Sequence, residues 1–250
     1  MLQAVCIKQV ADTETRVKVA PDGKTLDPAG VTWIQNPYDE FALEQALRIR
    51  EKLGAGEVVV LSVGGSGVQS TLRNALAMGA DRAIHLKTDV VAPDSLAVAR
   101  VLAAELEPMS AGLVWFGKQA VDDDAAQVGP MVAELLRLPC VTVVAEMELE
   151  GERAKVEREI EGGREAYEVR LPAVLAAEKG LNEPRYASLK GIMAAKKKPI
   201  EEKSVTLGEP NLERVSLSLP PPRGSGRIVG QGLEGVEVLV RVLREEAKLI

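Results

Sequence analysis

Residues 117–130, GKQAVDDDAAQVGP, gather three consecutive carboxylates, two amides and five small residues directly after the apolar run AGLVWF. Such a set could hold a metal ion, supply a catalytic carboxylate pair, or open a helix that binds an anion. The metal reading requires carboxylates that converge on one point. Consecutive helical residues project about 100° apart, so Asp122, Asp123 and Asp124 cannot ligate one ion from a single turn. A catalytic pair fails for the same reason unless its second member is remote. Capping is the simplest account, because an aspartate at a helix start accepts from free amides and complements the dipole, at roughly 0.5–2 kcal/mol. Capping explains one or two of the acids. A strand that ends in glycine and runs into a helix start also makes an anion site: Ala125 and Ala126 leave the backbone open, and Gln127 with Gly129 adds polar and accessible positions. A nucleotide phosphate near Ala125–Gly129 and pure capping both fit this pattern.

Other chemistry is sparse. The single histidine, His85 in AIHLK, reads as a satisfied strand residue, which leaves no His-rich metal site. Cys6 and Cys140 sit within apolar runs and read as buried thiols of a reducing compartment. No GxxxxGK[ST] occurs, and GGSG after the second strand is not GxGxxG, which disfavours a Walker-type NTPase and an ordinary NAD dehydrogenase. A net charge of −6 offers no global field for nucleic acid. No apolar run approaches the ~20 residues that span a bilayer, and the N-terminal residues lack the apolar core of a signal peptide. A cytoplasmic protein without membrane insertion is expected.

The elements that position residues 117–130 follow from periodicity. LQAVCIKQV, EVVVLSVGG, RAIHLKT and AGLVWFG read as buried strands. NPYDEFALEQALRIREKLGAG, SGVQSTLRNALAMGAD, residues 92–109 and DDDAAQVGPMVAELLRLP read as the helices between and after them, with Asn36-Pro37 and Pro93-Asp94 as start signals and Gly79 as a stop. Four strand–helix alternations predict a doubly wound, mostly parallel Rossmann-like α/β sheet, with its ligand crevice beyond the carboxyl ends of the strands. Lys8–Asp12, Val63–Ser66 and Gly117–Asp124 are the loops at those ends. Residues 141–180 alternate, with turns at Gly151 and Gly162-Gly163, and read as antiparallel hairpins extending the sheet. Residues 181–203 are basic with no clean period and read as an exposed loop. LPPPRGSGRIVGQG is a linker, and residues 233–250 form an amphipathic helix that either packs on its own domain or clasps a partner.

Several separated segments together resemble one family. NPYDEFALEQALRIRE, TLRNALAMGADRAIHL, GKQAVDDDAAQVGP, VEREIEGGREAYEVRLPAVLAAEKGLNEPRYASL and KKKPIE are similar, in order, to the beta subunit of electron transfer flavoproteins. The signature of that family falls on Arg158, Glu161-Gly162-Gly163, Glu165, Pro172 and Val174-Leu175, with Tyr167 standing where an aliphatic residue is usual.

The resemblance implies an adenine nucleotide alpha-hydrolase-like fold over residues 1–200, including a docking loop at about 177–199. Residues 201–250 would be a linker and an arm on the alpha subunit. It implies a heterodimer whose alpha subunit carries or shares FAD. That complex accepts electrons from acyl-CoA or related flavin dehydrogenases and passes them toward a quinone oxidoreductase. It is a carrier with no catalytic residues and no metal. The family's nucleotide site maps onto Cys6, the loop Asn36, Pro37, Tyr38 and Asp39, then Val63, and the stretch Lys118, Gln119, Ala120, Val121, Asp122, Asp123, Asp124, Ala125, Ala126, Gln127, Val128 and Gly129. The commoner class binds AMP there; an electron-bifurcating class that uses NADH holds a second FAD and usually carries glycine where Asp123 stands, which favours AMP. Leu189 matches an anchoring leucine for the dehydrogenase, with Ile192, Met193 and Lys197 beside it. A nucleotide-sensing module of the universal-stress type shares the architecture but leaves the basic segment and the terminal helix unexplained.

Overall fold

The structure, a computed structural model, describes residues 1–91 and 93–250; Ala92, within the third expected helix, lies outside them. In chain order the elements are β1 Leu2–Cys6, β2 Gln9–Ala11, β3 Trp33–Gln35, α1 Pro37–Leu53, β4 Glu57–Gly64, α2 Val68–Met78, β5 Arg82–Lys87, α3 Ser95–Leu106, β6 Leu113–Gly117 and α4 Val128–Leu136. They continue with β7 Cys140–Glu150, β8 Arg153–Ile160, β9 Gly163–Arg170, β10 Ala173–Ala177, α5 Leu189–Ala195, β11 Ile200–Ser204 and α6 Glu234–Arg241.

Nine strands form one sheet in the order β11-β5-β4-β1-β6-β10-β7-β8-β9, parallel from β11 to β7 and antiparallel through β8 and β9. The inner parallel strands β5, β4, β1, β6 and β10 lack polar alternation because both faces are covered, whereas the parallel edge strand β11, IEEKS, is largely exposed. Val5, Val58, Val60 and Trp115 point into one core with residues of α1 and α2. Ala4, Cys6, Val59, Leu61 and Phe116 point into the other with residues of α3 and α4. The buried Gln3 is satisfied by accepting from Trp115 Nε1 (3.1 Å) and donating to the Ala46 carbonyl (2.9 Å).

Several expectations need correction. The first strand ends at Cys6; β2 leaves the sheet and pairs with β3 in a separate two-stranded ribbon. β10 is not part of an antiparallel hairpin. Its five residues are all buried, and it inserts in parallel between β6 and β7. A register shift in β7 near Val144 marks where its parallel partner β10 gives way to antiparallel β8. Residues 181–203 are not one loop, since they contain α5 and the edge strand β11. The first compact unit runs to Leu217 and includes β11 with its partner β5. The second unit, Ser218–Ile250, holds α6 and an Arg227–Glu246 ion pair at 2.8 Å. The terminal helix is shorter than expected: α6 ends at Arg241 and passes into a wider turn over Val242–Glu246.

Candidate functional site

The carboxyl ends of β1 and β6 and the start of α1 meet around one buried side chain, Asp39, which is 5% exposed. Asp39 lies in the first turn of α1, opened by Pro37 at a position where a missing N–H costs nothing. Its Oδ2 accepts from the Lys8 amide at 2.7 Å, and its Oδ1 accepts from the Gly117 amide at 3.0 Å and from Asn36 Nδ2 at 2.9 Å. Burial pushes this carboxyl up to about 7, against the three donors and the Lys8 charge, which favour the ionised form. Gly117 is glycine for a spatial reason: an added Cβ would collide with Asp39 Oδ1 and with Tyr38.

Asn36 ties in the acidic stretch. It precedes α1 without capping it through its side chain. Instead its Nδ2 donates to the Gln119 carbonyl (2.9 Å) and its Oδ1 accepts from the Val121 amide (3.1 Å). The three aspartates do not cap α4, which begins at Val128. Lys8 Nζ reaches Asp122 at 2.7 Å and Asp123 at 2.9 Å, while Asp124 accepts from Gln119 Nε2 at 2.6 Å. Although burial opposes its charge, the two carboxylates hold the Lys8 ammonium above its ordinary value. Lys118 pairs with Glu178 at the end of β10 (2.5 Å), which raises it likewise, and lies 5.5 Å from the centre of the Tyr38 ring. The two lysines nearest the crevice are thus already neutralised. The residue that sequence reasoning missed is Glu178; its only signal was its place directly after the apolar run AVLAA.

Between the acids and α4 the backbone is unusual. Asp124 (φ 49°) and Ala126 (φ 52°) both adopt the left-handed region without being glycine, as residues at ligand sites often do. This turn delivers the chain to α4, where Val128 and Gly129 have no intrahelical acceptor for their amides and Pro130 has no amide to satisfy. Gly129 is buried, and a side chain there would meet the Phe116 ring, so a carboxylate introduced at 129 would enter the core. Cys6 is likewise inward-facing, its thiol pushed well up by burial. Val63 lies on β4 one residue before its end. The structure therefore gathers Lys8, Asn36, Tyr38, Asp39 and Gly117–Asp124 through direct contacts. Cys6 and Val63 enter through strand ends and Ala125–Gly129 through the approach to α4. His85 is fully buried; its Nε2 lies 2.9 Å from the Gly64 carbonyl, while its Nδ1 has no hydrogen-bond partner among the described residues and the Glu202 carboxylate lies 3.5 Å away, so the satisfied histidine the sequence suggested is only half satisfied. Both cysteines are free, Cys140 only half-buried.

The second expected site is a surface. Leu189 (85% exposed), Met193 (63%) and Ile192 (43%) project from α5, with Tyr186 (98%) just before it. Lys197 is exposed beside them, whereas Lys198 turns inward to the Leu76 and Ala80 carbonyls at the end of α2.

Residues 24–207 match the family model described as the electron transfer flavoprotein domain. The chain belongs to the electron transfer flavoprotein family. It is 40% identical over 256 residues to "Electron transfer flavoprotein subunit beta" of Bacillus subtilis, covering 98% of both chains. It is 43% identical over 252 residues to the protein of that name from Mus musculus, with 98% of this chain and 97% of the mouse one covered. It is also 43% identical over 257 residues to the mitochondrial beta subunit of Oryza sativa subsp. japonica, covering 98% of each. Among the described residues no group of three or more His, Cys, Asp or Glu side chains could hold a metal ion. No helix among them is long and apolar enough to cross a membrane.

Proposed function

We propose that this chain is the beta subunit of a heterodimeric electron transfer flavoprotein and holds a structural AMP at the crevice around Asp39. The heterodimer would accept electrons from acyl-CoA or related flavin dehydrogenases and pass them toward a quinone oxidoreductase. The observation that carries the AMP reading is the turn through Asp124 and Ala126, which delivers the chain to α4, whose first amides at Val128 and Gly129 have no intrahelical acceptor, beside an Asp39–Asn36–Gly117 network. With Lys8 and Lys118 both paired to carboxylates, those amides are the natural partners of a phosphate. Asp123 favours a mononucleotide over a second flavin, because its side chain is held by Lys8 and accepts from the Ala125 amide at 3.2 Å. FAD, carried by or shared with the alpha subunit, supplies the electron chemistry. In this reading the chain's residues bind, pair and dock. Mass spectrometry of nucleotides released on denaturing the purified heterodimer should show AMP with FAD. Recovery of FAD alone, with a second equivalent per complex, would replace this reading with the bifurcating one.

The arm reading rests on α6. Val236, Leu239 and Val240 place apolar surface on a helix whose own unit supplies no core to cover it, and a Pro/Gly-rich segment precedes it. We infer that this helix clasps the alpha subunit. Deleting residues 233–250 should weaken heterodimer formation, measured by titrating one subunit with the other. Unchanged affinity would place the helix on the beta subunit itself.

A further inference from the structure

The segment before α5 is fastened along one face of α1, and the segment after it to α2. Asn182 Nδ2 donates to the Phe41 carbonyl (2.9 Å) and to Gln45 Oε1 (3.1 Å). Arg48 Nη2 donates to the Glu183 carbonyl (3.0 Å). Arg185 then grips two acids one helical stretch apart. Its Nε and Nη2 reach the two oxygens of Glu44 (2.7 and 3.1 Å), and its Nη1 and Nη2 reach the two oxygens of Glu51 (2.5 and 3.0 Å). The Arg185 amide also donates to Glu44 (3.2 Å). The Glu44 side chain is only 3% exposed, and Arg48 Nε holds its other side at 2.7 Å. On the far end, Arg73 donates to the Ala195 and Lys198 carbonyls, and Lys198 closes on the end of α2. Gly191 allows this approach, since a Cβ there would collide with the Ala77 carbonyl.

Between these anchors lies a helix of seven residues, of which only Ala195 is buried. A helix that short does not hold itself together in water, and Ser188, which accepts from the Gly191 amide at 3.0 Å, supplies a cap but no packing. What fixes α5 must therefore be the anchors together with its seat against α2, where Gly191 meets the Ala77 carbonyl and Ala195 enters the core. We infer that Arg185 is the positioning residue for docking: by clamping the entry to α5 onto Glu44 and Glu51, it presents Leu189 and Met193 already in place. The inference rests on the docking reading of α5. A preformed site removes the ordering cost from each encounter, which suits a complex that must form and separate quickly. Arg185 is suited to this and lysine is not, because only a planar fork bonds two carboxylates in pairs.

The test compares Arg185→Ala, Arg185→Lys and Leu189→Ala in the assembled heterodimer, with wild type as reference. Three quantities are read: amide hydrogen exchange of residues 189–195, and kcat and KM for reduction of the heterodimer by an acyl-CoA dehydrogenase reduced with butyryl-CoA. Arg185→Ala should speed exchange in that segment at least about tenfold, and raise KM about tenfold with kcat within about twofold. Arg185→Lys should recover only part of both. Leu189→Ala should raise KM without changing exchange, which separates anchor from brace. Unchanged exchange in Arg185→Ala overturns the inference. So does faster exchange with unchanged KM when Leu189→Ala does raise KM, because docking then needs no preformed helix. If neither variant alters KM, the docking reading has failed, and faster exchange in Arg185→Ala still supports Arg185 as the residue that positions α5.

Discussion

Electron delivery from a dehydrogenase is expected to fall roughly ten- to hundredfold in Leu189→Ala, at subsaturating heterodimer, with nucleotide content and subunit pairing unchanged. Leu189 is the first residue of α5 and is 85% exposed, so it contributes little to its own fold. A large aliphatic side chain at the start of a braced helix, ringed by the exposed Lys190, Lys196 and Lys197, would, in the docking reading, fill an apolar pocket on an acidic partner surface. Burying one leucine contributes about 1.5–3 kcal/mol, and tenfold in affinity corresponds to about 1.4 kcal/mol. Removing the isopropyl group beyond Cβ loses most of that term. The melting temperature should not move, since no core contact is broken. Wild-type transfer rates in this variant, measured against the same dehydrogenase, would remove Leu189 as the anchor.

Asp39→Ala should do the opposite: it should damage the crevice and the fold together, and leave α5 untouched. The carboxylate receives two backbone amides, those of Lys8 and Gly117, and the Asn36 side chain. All three donors lie where water has little access. Truncation leaves them unpaired at about 1–3 kcal/mol each, with partial relaxation, so a loss of about 3–5 kcal/mol is expected. For a domain of this size that lowers the melting temperature on the order of 10 °C. Because Asn36 also carries Gln119 and Val121, the turn toward α4 loosens as well, and bound nucleotide should be lost during purification. Asp122→Asn is the contrast. Its ion pair with Lys8 is partly exposed and shared with Asp123, so the effect should stay within about 1 kcal/mol, with nucleotide retained. Equal melting temperatures and nucleotide contents for Asp39→Ala and wild type would show that this network does not organise the site.

Sequence alone determined the parts of this protein whose physics is local. Unbroken apolar strands alternating with capped helices dictate a parallel sheet covered on both faces, because neither face can be left wet. The glycine after the apolar run AGLVWF marked the end of β6 from spacing alone, and the ordered motifs carried the family. Tertiary structure decided what depends on distant partners. The run AVLAA is equally apolar in either direction, and only the place between β6 and β7 makes β10 parallel. Aspartates 122–124 look like caps until Lys8, more than a hundred positions away, takes two of them. The helix α5 gave no apolar period because its apolar side chains face outward, and what holds it is a clamp of Arg185 on Glu44 and Glu51, residues far apart in the chain whose pairing no local pattern encodes.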